Sequence, residues 1–271
     1  MLAIMNHGRA WRIAGTGVAL AAVGALLLAE RARPLRCRTT SQLPRLARNA
    51  AMGAACQAVI MASEAPLTRR IAQANETGRR GLRHLLPGRL GALAAFLAMD
   101  YGFYLWHVGT HKVPFLWRFH RVHHLDPDLD ASTAVRFHFA DMLVSLPWRL
   151  LQVRVSGVDP VLLRRWQHFF LGSILFHHSN LRLPAGWDEA LSQVLTTPKM
   201  HGIHHSRVAA EMNSNWTSGF SFWDRLHGTF RADVRQAHIA IGVDDAHAAH
   251  DIALLPAIAA PLHDRGNPKP A

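Results

Sequence analysis

Residues 107–124 read HVGTHKVPFLWRFHRVHH, and five of the eighteen are histidine: His107, His111, His120, His123 and His124. Such density in a chain that is 49% hydrophobic needs a cause. His107 and His111 form an H-x3-H pair, and His120, His123 and His124 form H-x2-H-H. Further along, MHGIHH repeats the triplet at His201, His204 and His205, and FHHSN carries the doublet His177–His178. Residues three and four apart share one face of a helix, so each group aims its imidazoles at one point. Neutral imidazole is a good ligand for iron, zinc, copper or nickel. These groups hold ten of the nineteen histidines. Ten imidazoles exceed what a single ion takes, since zinc uses about four ligands and iron about five or six. Two ions with about four or five nitrogens each would use them, which points to a dinuclear site.

Outward from the histidines the chain is apolar and basic. The run RLGALAAFLAMDYGFYLWH, residues 89–107, leads straight into the first pair. Asp100 lies inside it, and an acid in such a run should face a polar partner rather than lipid. Residues 13–29, IAGTGVALAAVGALLLA, form an uncharged run at the short end of a bilayer span. Residues 49–62 are a shorter, weaker run, and 63–88, polar with Pro66 and Pro87, read as a loop. Residues 142–155 and 161–176 are apolar segments interrupted by arginine, of interfacial or partly buried character. The organisation read from this is an N-terminal membrane and basic segment over 1–88, a histidine-bearing catalytic domain over 89–230, and a C-terminal surface tail over 231–271.

Lys plus Arg number 30 against 18 acids, a net charge of +12. Arg31, Arg33, Arg36, Arg38, Arg45 and Arg48 gather beside apolar runs, as the flanks of membrane segments do. No nucleic-acid motif accompanies them, so nucleic acid is not expected as a partner. Cys37 and Cys56 form no CxxC, which excludes a thiolate metal site and a disulfide framework.

The stretches HVGTH, FHRVHH, FHHSNLRLP, TPKMHGIHH and NSNWTSGFSFWDRLHGTF resemble the fatty acid hydroxylase and sterol desaturase superfamily over about Asp100 to Phe230. Its members are integral membrane, non-haem di-iron oxygenases with histidine boxes in this order. The resemblance implies an all-α fold, a membrane helical bundle with a cytosolic helical cap that carries the dimetal site. It implies two iron ions, held by His107, His111, His120, His123, His124, His178, His201, His204 and His205. His177 then falls outside the ligand set, as a supporting residue. The family's H-P-x-E is replaced here by His138, Phe139, Ala140 and Asp141, so His138 and Asp141 are candidates to ligate or to support a ligand. Asn180 either orients a metal-bound water or closes a turn before Pro184. Trp106, Trp117 and Trp216 are candidates to wall a pocket, and Trp223–Asp224–Arg225 reads as a latch with an ion pair inside it. His7, His84, His168, His238, His247, His250 and His263 read as solvated or structural, and His227 stands where the family tends to carry an aromatic or aliphatic residue.

Iron in such a site implies oxygen-dependent hydroxylation or desaturation of a lipid-like substrate, admitted from the bilayer beside the apolar helix. The chain has no dinucleotide-binding glycine fingerprint, so electrons are expected from a separate ferredoxin- or cytochrome-type donor. Two other classes compete with this reading. A membrane zinc hydrolase would need an acid near the metal, with Asp141 and Asp188 the candidates. A non-catalytic metal carrier or bis-histidine haem protein would need only the imidazoles.

Overall fold

The first turns of several helices are set by residues that suit them. Asp159 accepts from the amides of Val161 and Leu162 at 2.8 Å, and Pro160 occupies the first helical position, where its missing N–H costs nothing. Thr197 with Pro198 does the same for the helix that carries the second histidine triplet, and Pro114 opens the helix that carries the first.

The computed structural model describes residue 17, residues 21–244 and residues 252–262. Helices follow in the order α1 (21–32), α2 (Gln42–Val59), α3 (Ala65–Gly78), α4 (Gly88–Lys112), α5 (Pro114–His124), α6 (Phe139–Val144), α7 (Leu146–Ser156), α8 (Pro160–His178), α9 (Trp187–Leu191), α10 (Pro198–His204), α11 (Ala209–Met212), α12 (Phe222–Leu226) and α13 (Leu254–Ala259). Among the described residues there is no strand, only the isolated bridges Pro34–Leu181, Leu195–Phe220 and Ser206–Ile241.

Helices α3, α4, α7 and α8 pack around Ala72, Ala95, Met99, Val153, Leu162 and Trp166. At one end the turn before α4 meets the turn between α7 and α8. There Gly81 and Gly157, both at positive φ, touch so closely that a Cβ on Gly81 would lie 2.4 Å from the Gly157 Cα. A smaller core of Trp117, Leu125, Met212 and Val243 sits beneath the histidines.

Two expectations give way here. Residues 63–78 are not a loop: a π-helical turn, Ile60–Glu64, carries α2 directly into α3, and only 79–87 form a connection, around the short 3-10 turn Leu82–His84. Pro66 breaks a regular helix by clashing with the preceding turn, and the widened π turn absorbs it. The helical run Gln42–His84 is, among the described residues, the one segment long and apolar enough to cross a membrane, and only 11% of its most apolar window is buried. The apolar run 13–29 lies partly outside the described residues. The second change concerns the tail. Its described part returns to the body of the protein, where the small residues Ala257 and Ala260 pack on Met52 and Val122 and the Pro261 carbonyl accepts from Arg118.

Candidate metal centre

The last two turns of α4 supply His107 and His111, α5 supplies His120, His123 and His124, α8 ends on His177 and His178, and α10 with the residue after it supplies His201, His204 and His205. These helices arrive from different parts of the chain and bury all ten rings. Nine of the ten divide into two groups whose nitrogens lie within 4.8 Å of one another. His107, His111, His120, His124 and His204 form the first, and His123, His178, His201 and His205 the second. Neither triplet aims at a single point. Residues four apart stay together, as His120 with His124 and His201 with His205, while the odd member of each triplet, His123 or His204, turns to the other group.

Main-chain carbonyls fix the orientation of four rings. Each Nδ1–H donates to one: His107 to Trp216 at 2.7 Å, His123 to Arg136 at 3.1 Å, His178 to Ile174 at 2.7 Å and His204 to Ser214 at 2.9 Å. In a neutral ring the proton at Nδ1 leaves Nε2 with its lone pair exposed. Burial, with the neighbouring imidazoles, holds His123, His124, His201 and His205 well below the ordinary imidazole range, and His204 is pushed down to about 3. These five rings are therefore neutral at pH 7.

That neutrality makes the second group informative. His123 Nε2 faces His178 Nε2 at 3.0 Å, and both rings already have their proton on Nδ1. Two lone pairs point at each other with no hydrogen between. His201 Nε2 lies 3.0 Å from His178 Nε2 and 3.1 Å from His205 Nε2. Two nitrogens bound at right angles to one ion, each about 2.1 Å away, would be about 3.0 Å apart. In the first group, the His120 and His204 Nε2 atoms and both His124 nitrogens are buried without a protein partner. Orphaned lone pairs in a dry cluster cost free energy, and a cation relieves that cost. The residues present fit two metal ions.

The supporting positions are more varied. Asp141 is buried with one oxygen 3.9 Å from His120 Nδ1. His177 packs on His201 with ring centroids 4.1 Å apart and joins neither group. His138 is turned away: its Nδ1 accepts from the Ala140 amide at the start of α6, and its Nε2 reaches the Ile258 carbonyl. Asn180 braces the segment around Arg36. Its side chain takes the Arg36 amide at 2.9 Å and donates to the Arg36 carbonyl at 2.8 Å. Asp100 finds the polar partners its position demands, the Phe220 amide and the Trp223 indole N–H. Asp224 makes no ion pair with Arg225; it accepts from the Trp216 and Thr217 amides and the Thr229 hydroxyl, while Arg225 lies over Phe230. Trp117 stands 5.0 Å from His111, Trp106 packs on Trp148, and Trp216 contributes its carbonyl. His7, His247, His250 and His263 lie outside the described residues.

Several residues that matter carried no role at this site in the sequence. Asn215 adopts a left-handed conformation, φ 52°, which asparagine tolerates better than most. It stands between the two carbonyls, Ser214 and Trp216, that orient His204 and His107. Behind α5, Arg45 pairs with Asp126 at 2.7 Å and with Asp130, while Arg48 and Asn49 also bond Asp126. The signal was available: three acids in HHLDPDLD, and Arg45, Arg48 and Asn49 at the spacing of one helical face.

Residues 92–229 match the fatty acid hydroxylase family. The chain is 31% identical over 163 residues to the ornithine lipid hydroxylase OlsE of Rhizobium tropici, an overlap of 58% of this chain and 46% of that protein. It is 29% identical over 140 residues to the alkylglycerol monooxygenase of Homo sapiens, covering 52% and 30%. To the cholesterol 25-hydroxylase of Mus musculus it is 27% identical over 149 residues, covering 52% and 46%. The chain thus spans less than half the length of these relatives. No solved structure matches it.

Proposed function

Because the chain belongs to the fatty acid hydroxylase family, we propose that it is a membrane-bound di-iron oxygenase that hydroxylates a lipid, with electrons from a separate ferredoxin- or cytochrome-type carrier. The observation that carries this reading is the convergence of nine buried imidazoles into groups of five and four, with unprotonated nitrogens face to face. A pair of irons held there would supply activation of O2 for attack on an unactivated C–H bond, which no side-chain acid or base achieves. The five-histidine group His107, His111, His120, His124 and His204 would hold one ion, and His123, His178, His201 and His205 the other.

The chain's own residues do the positioning. Main-chain carbonyls set the tautomers of His107, His123, His178 and His204, so these ligands need not reorganise on binding. Phe137 stacks on His123 with centroids 4.2 Å apart, and Trp117 flanks His111 and His124. These aromatic walls keep water from the cluster and suit a hydrocarbon substrate. The names of the relatives, hydroxylases and a monooxygenase, favour oxygen insertion over desaturation. Among the described residues no carboxylate joins either histidine group, which favours the oxygenase over a hydrolase, although Asp141 stands 3.9 Å from His120. Membrane attachment is supported by the apolar run Gln42–His84, and the basic flank 31–48 favours a cytosolic side for the boxes.

The test is metal analysis of the detergent-extracted protein together with lipid profiling of cells that do and do not express it. Two irons per chain and a lipid heavier by one oxygen atom, formed only with O2, are expected. Zinc in place of iron with no oxygen-dependent product would overturn the reading.

A further inference from the structure

Of the four carbonyls that orient rings of the metal centre, one leads on to a carboxylate. His107 Nδ1–H donates to the Trp216 carbonyl at 2.7 Å. That carbonyl and the Thr217 N–H belong to a single peptide group, and the Thr217 N–H donates to Asp224 Oδ2 at 3.1 Å. Imidazole, peptide and carboxylate thus form one chain of hydrogen bonds. The other three rings end on neutral groups. Behind Ser214 the Asn215 N–H donates to the Thr229 carbonyl, behind Arg136 the Phe137 N–H donates to the Val135 carbonyl, and Ile174 lies within α8.

Asp224 is fully buried, and its partners are neutral. Oδ1 accepts from the Trp216 amide and the Thr229 hydroxyl, and Oδ2 from the Thr217 amide and hydroxyl. Each oxygen therefore takes a main-chain N–H, which can only donate, and the Thr217 hydroxyl is itself met by the Thr196 hydroxyl. This is the setting of an anion. Burial pushes the carboxyl up, the donors pull it back, and a cation on His107 would favour the charged form further. The five-histidine group has use for such a charge, because an imidazole ligand cancels none of an ion's own. Asp141, the other acid close to that group, stands 3.9 Å from His120 Nδ1, beyond a hydrogen bond.

We propose that Asp224 is a positioning residue for His107, polarising the Trp216–Thr217 peptide and through it the imidazole, and supplying a counter-charge to the ion that the five-histidine group holds. A carboxylate on the N–H side of a peptide makes its carbonyl oxygen a stronger acceptor. The Nδ1–H bond strengthens, and Nε2 becomes a better donor of its lone pair to a metal. Where a carboxylate orients a metal-bound histidine directly, nothing intervenes; here one peptide group does. Negative charge at this place favours the higher oxidation state of the ion and so lowers its reduction potential. The inference rests on the reading that the five-histidine group holds an ion, and it requires neither turnover nor a lipid.

The full chain in detergent is stripped of metal, reloaded with ferrous iron without O2, and titrated against redox mediators while the iron spectrum is followed. Asp224→Asn removes the charge and turns its NH2 onto one of the two main-chain N–H groups, so some stability is lost with it. It should still bind both irons and raise one of the two potentials by about 59 mV or more, a tenfold weaker hold on the ferric state for one electron. Unmoved potentials in that variant, the mark of a bracing role alone, overturn the proposal and leave the metal centre standing. Should Asp224→Asn not fold, Thr229→Val decides. It takes one neutral donor from the carboxylate and keeps the charge, so the same potential should fall; no change or a rise overturns the proposal. An unaltered chain that takes up no iron overturns the metal centre and this role of Asp224 together.

Discussion

A histidine that has given its Nδ1 proton to a carbonyl can do one thing with Nε2, which is accept. His107, His123, His178 and His204 are all in that position, and the acceptors are main-chain atoms of Trp216, Arg136, Ile174 and Ser214. His123→Ala or His204→Ala should therefore strip metal and lower activity by more than about 100-fold, measured as metal per chain beside turnover. His138→Ala should leave metal content unchanged, because both its ring nitrogens are engaged elsewhere; the cost is a helix cap, about 1 kcal/mol in a denaturation midpoint. Equal metal loss in both classes would show that the clusters are not the site. Acid adds a second expectation for the metal-free protein. The folded-state value of His204, about 3, lies below the unfolded value near 6.5. The unfolded chain takes up the proton first, so stability is complete above about pH 6.5 and is lost as the pH falls toward 3, at about 1.4 kcal/mol per pH unit for each such ring. A denaturant midpoint that stays level between pH 7 and pH 5 would contradict this. The spacing of the histidines was legible because side chains carry it. The carbonyls that orient them were not, since every residue has one, and only the left-handed turn at Asn215 aims the Ser214 and Trp216 pair.

Between the helices the decisive contacts are ionic and buried. Arg45 and Arg48 on α2 reach across to Asp126 and Asp130, in the loop that leaves the end of α5 two residues after His124. Removing Arg45 strands two buried carboxylates, so Arg45→Ala should cost about 3–5 kcal/mol and loosen metal binding with it. Arg48→Ala should cost roughly 1 kcal/mol, because Asp126 keeps Arg45, Asn49 and Thr133. Chemical denaturation of the two variants side by side tests that ranking, and equal losses would refute it. The same contacts explain what composition concealed. Arg36, Arg45 and Arg136 count toward a basic chain, yet all three are buried within the fold rather than lying along a membrane face. Element boundaries were legible where proline opens a helix, as at Pro114, Pro160 and Pro198. They were misread at Pro66, because a π turn is a property of the backbone and leaves no mark in composition.

The molecule as a whole sets a polar histidine core beside surfaces that remain apolar. Leu43, Met61, Leu85, Leu90 and Leu93 on and between α2, α3 and α4 are each more than half exposed, which in water would invite aggregation and in a bilayer would not. If α2 and α3 enter the membrane, the segment before them must lie on one side, and that segment carries its own reporter. Cys37 is exposed and Cys56 is buried, so a membrane-impermeant maleimide reads Cys37 alone. Position 37 moves with the metal centre, because the Arg36 backbone is bonded to Asn180, just past His178. With the boxes facing the cytosol, inverted vesicles should be labelled, right-side-out vesicles should not, and Cys37→Ser should abolish the signal in both. Labelling of right-side-out vesicles would put the histidines on the opposite face. A cytosolic electron carrier could not then reach them, and the donor would have to be sought on the far side of the membrane.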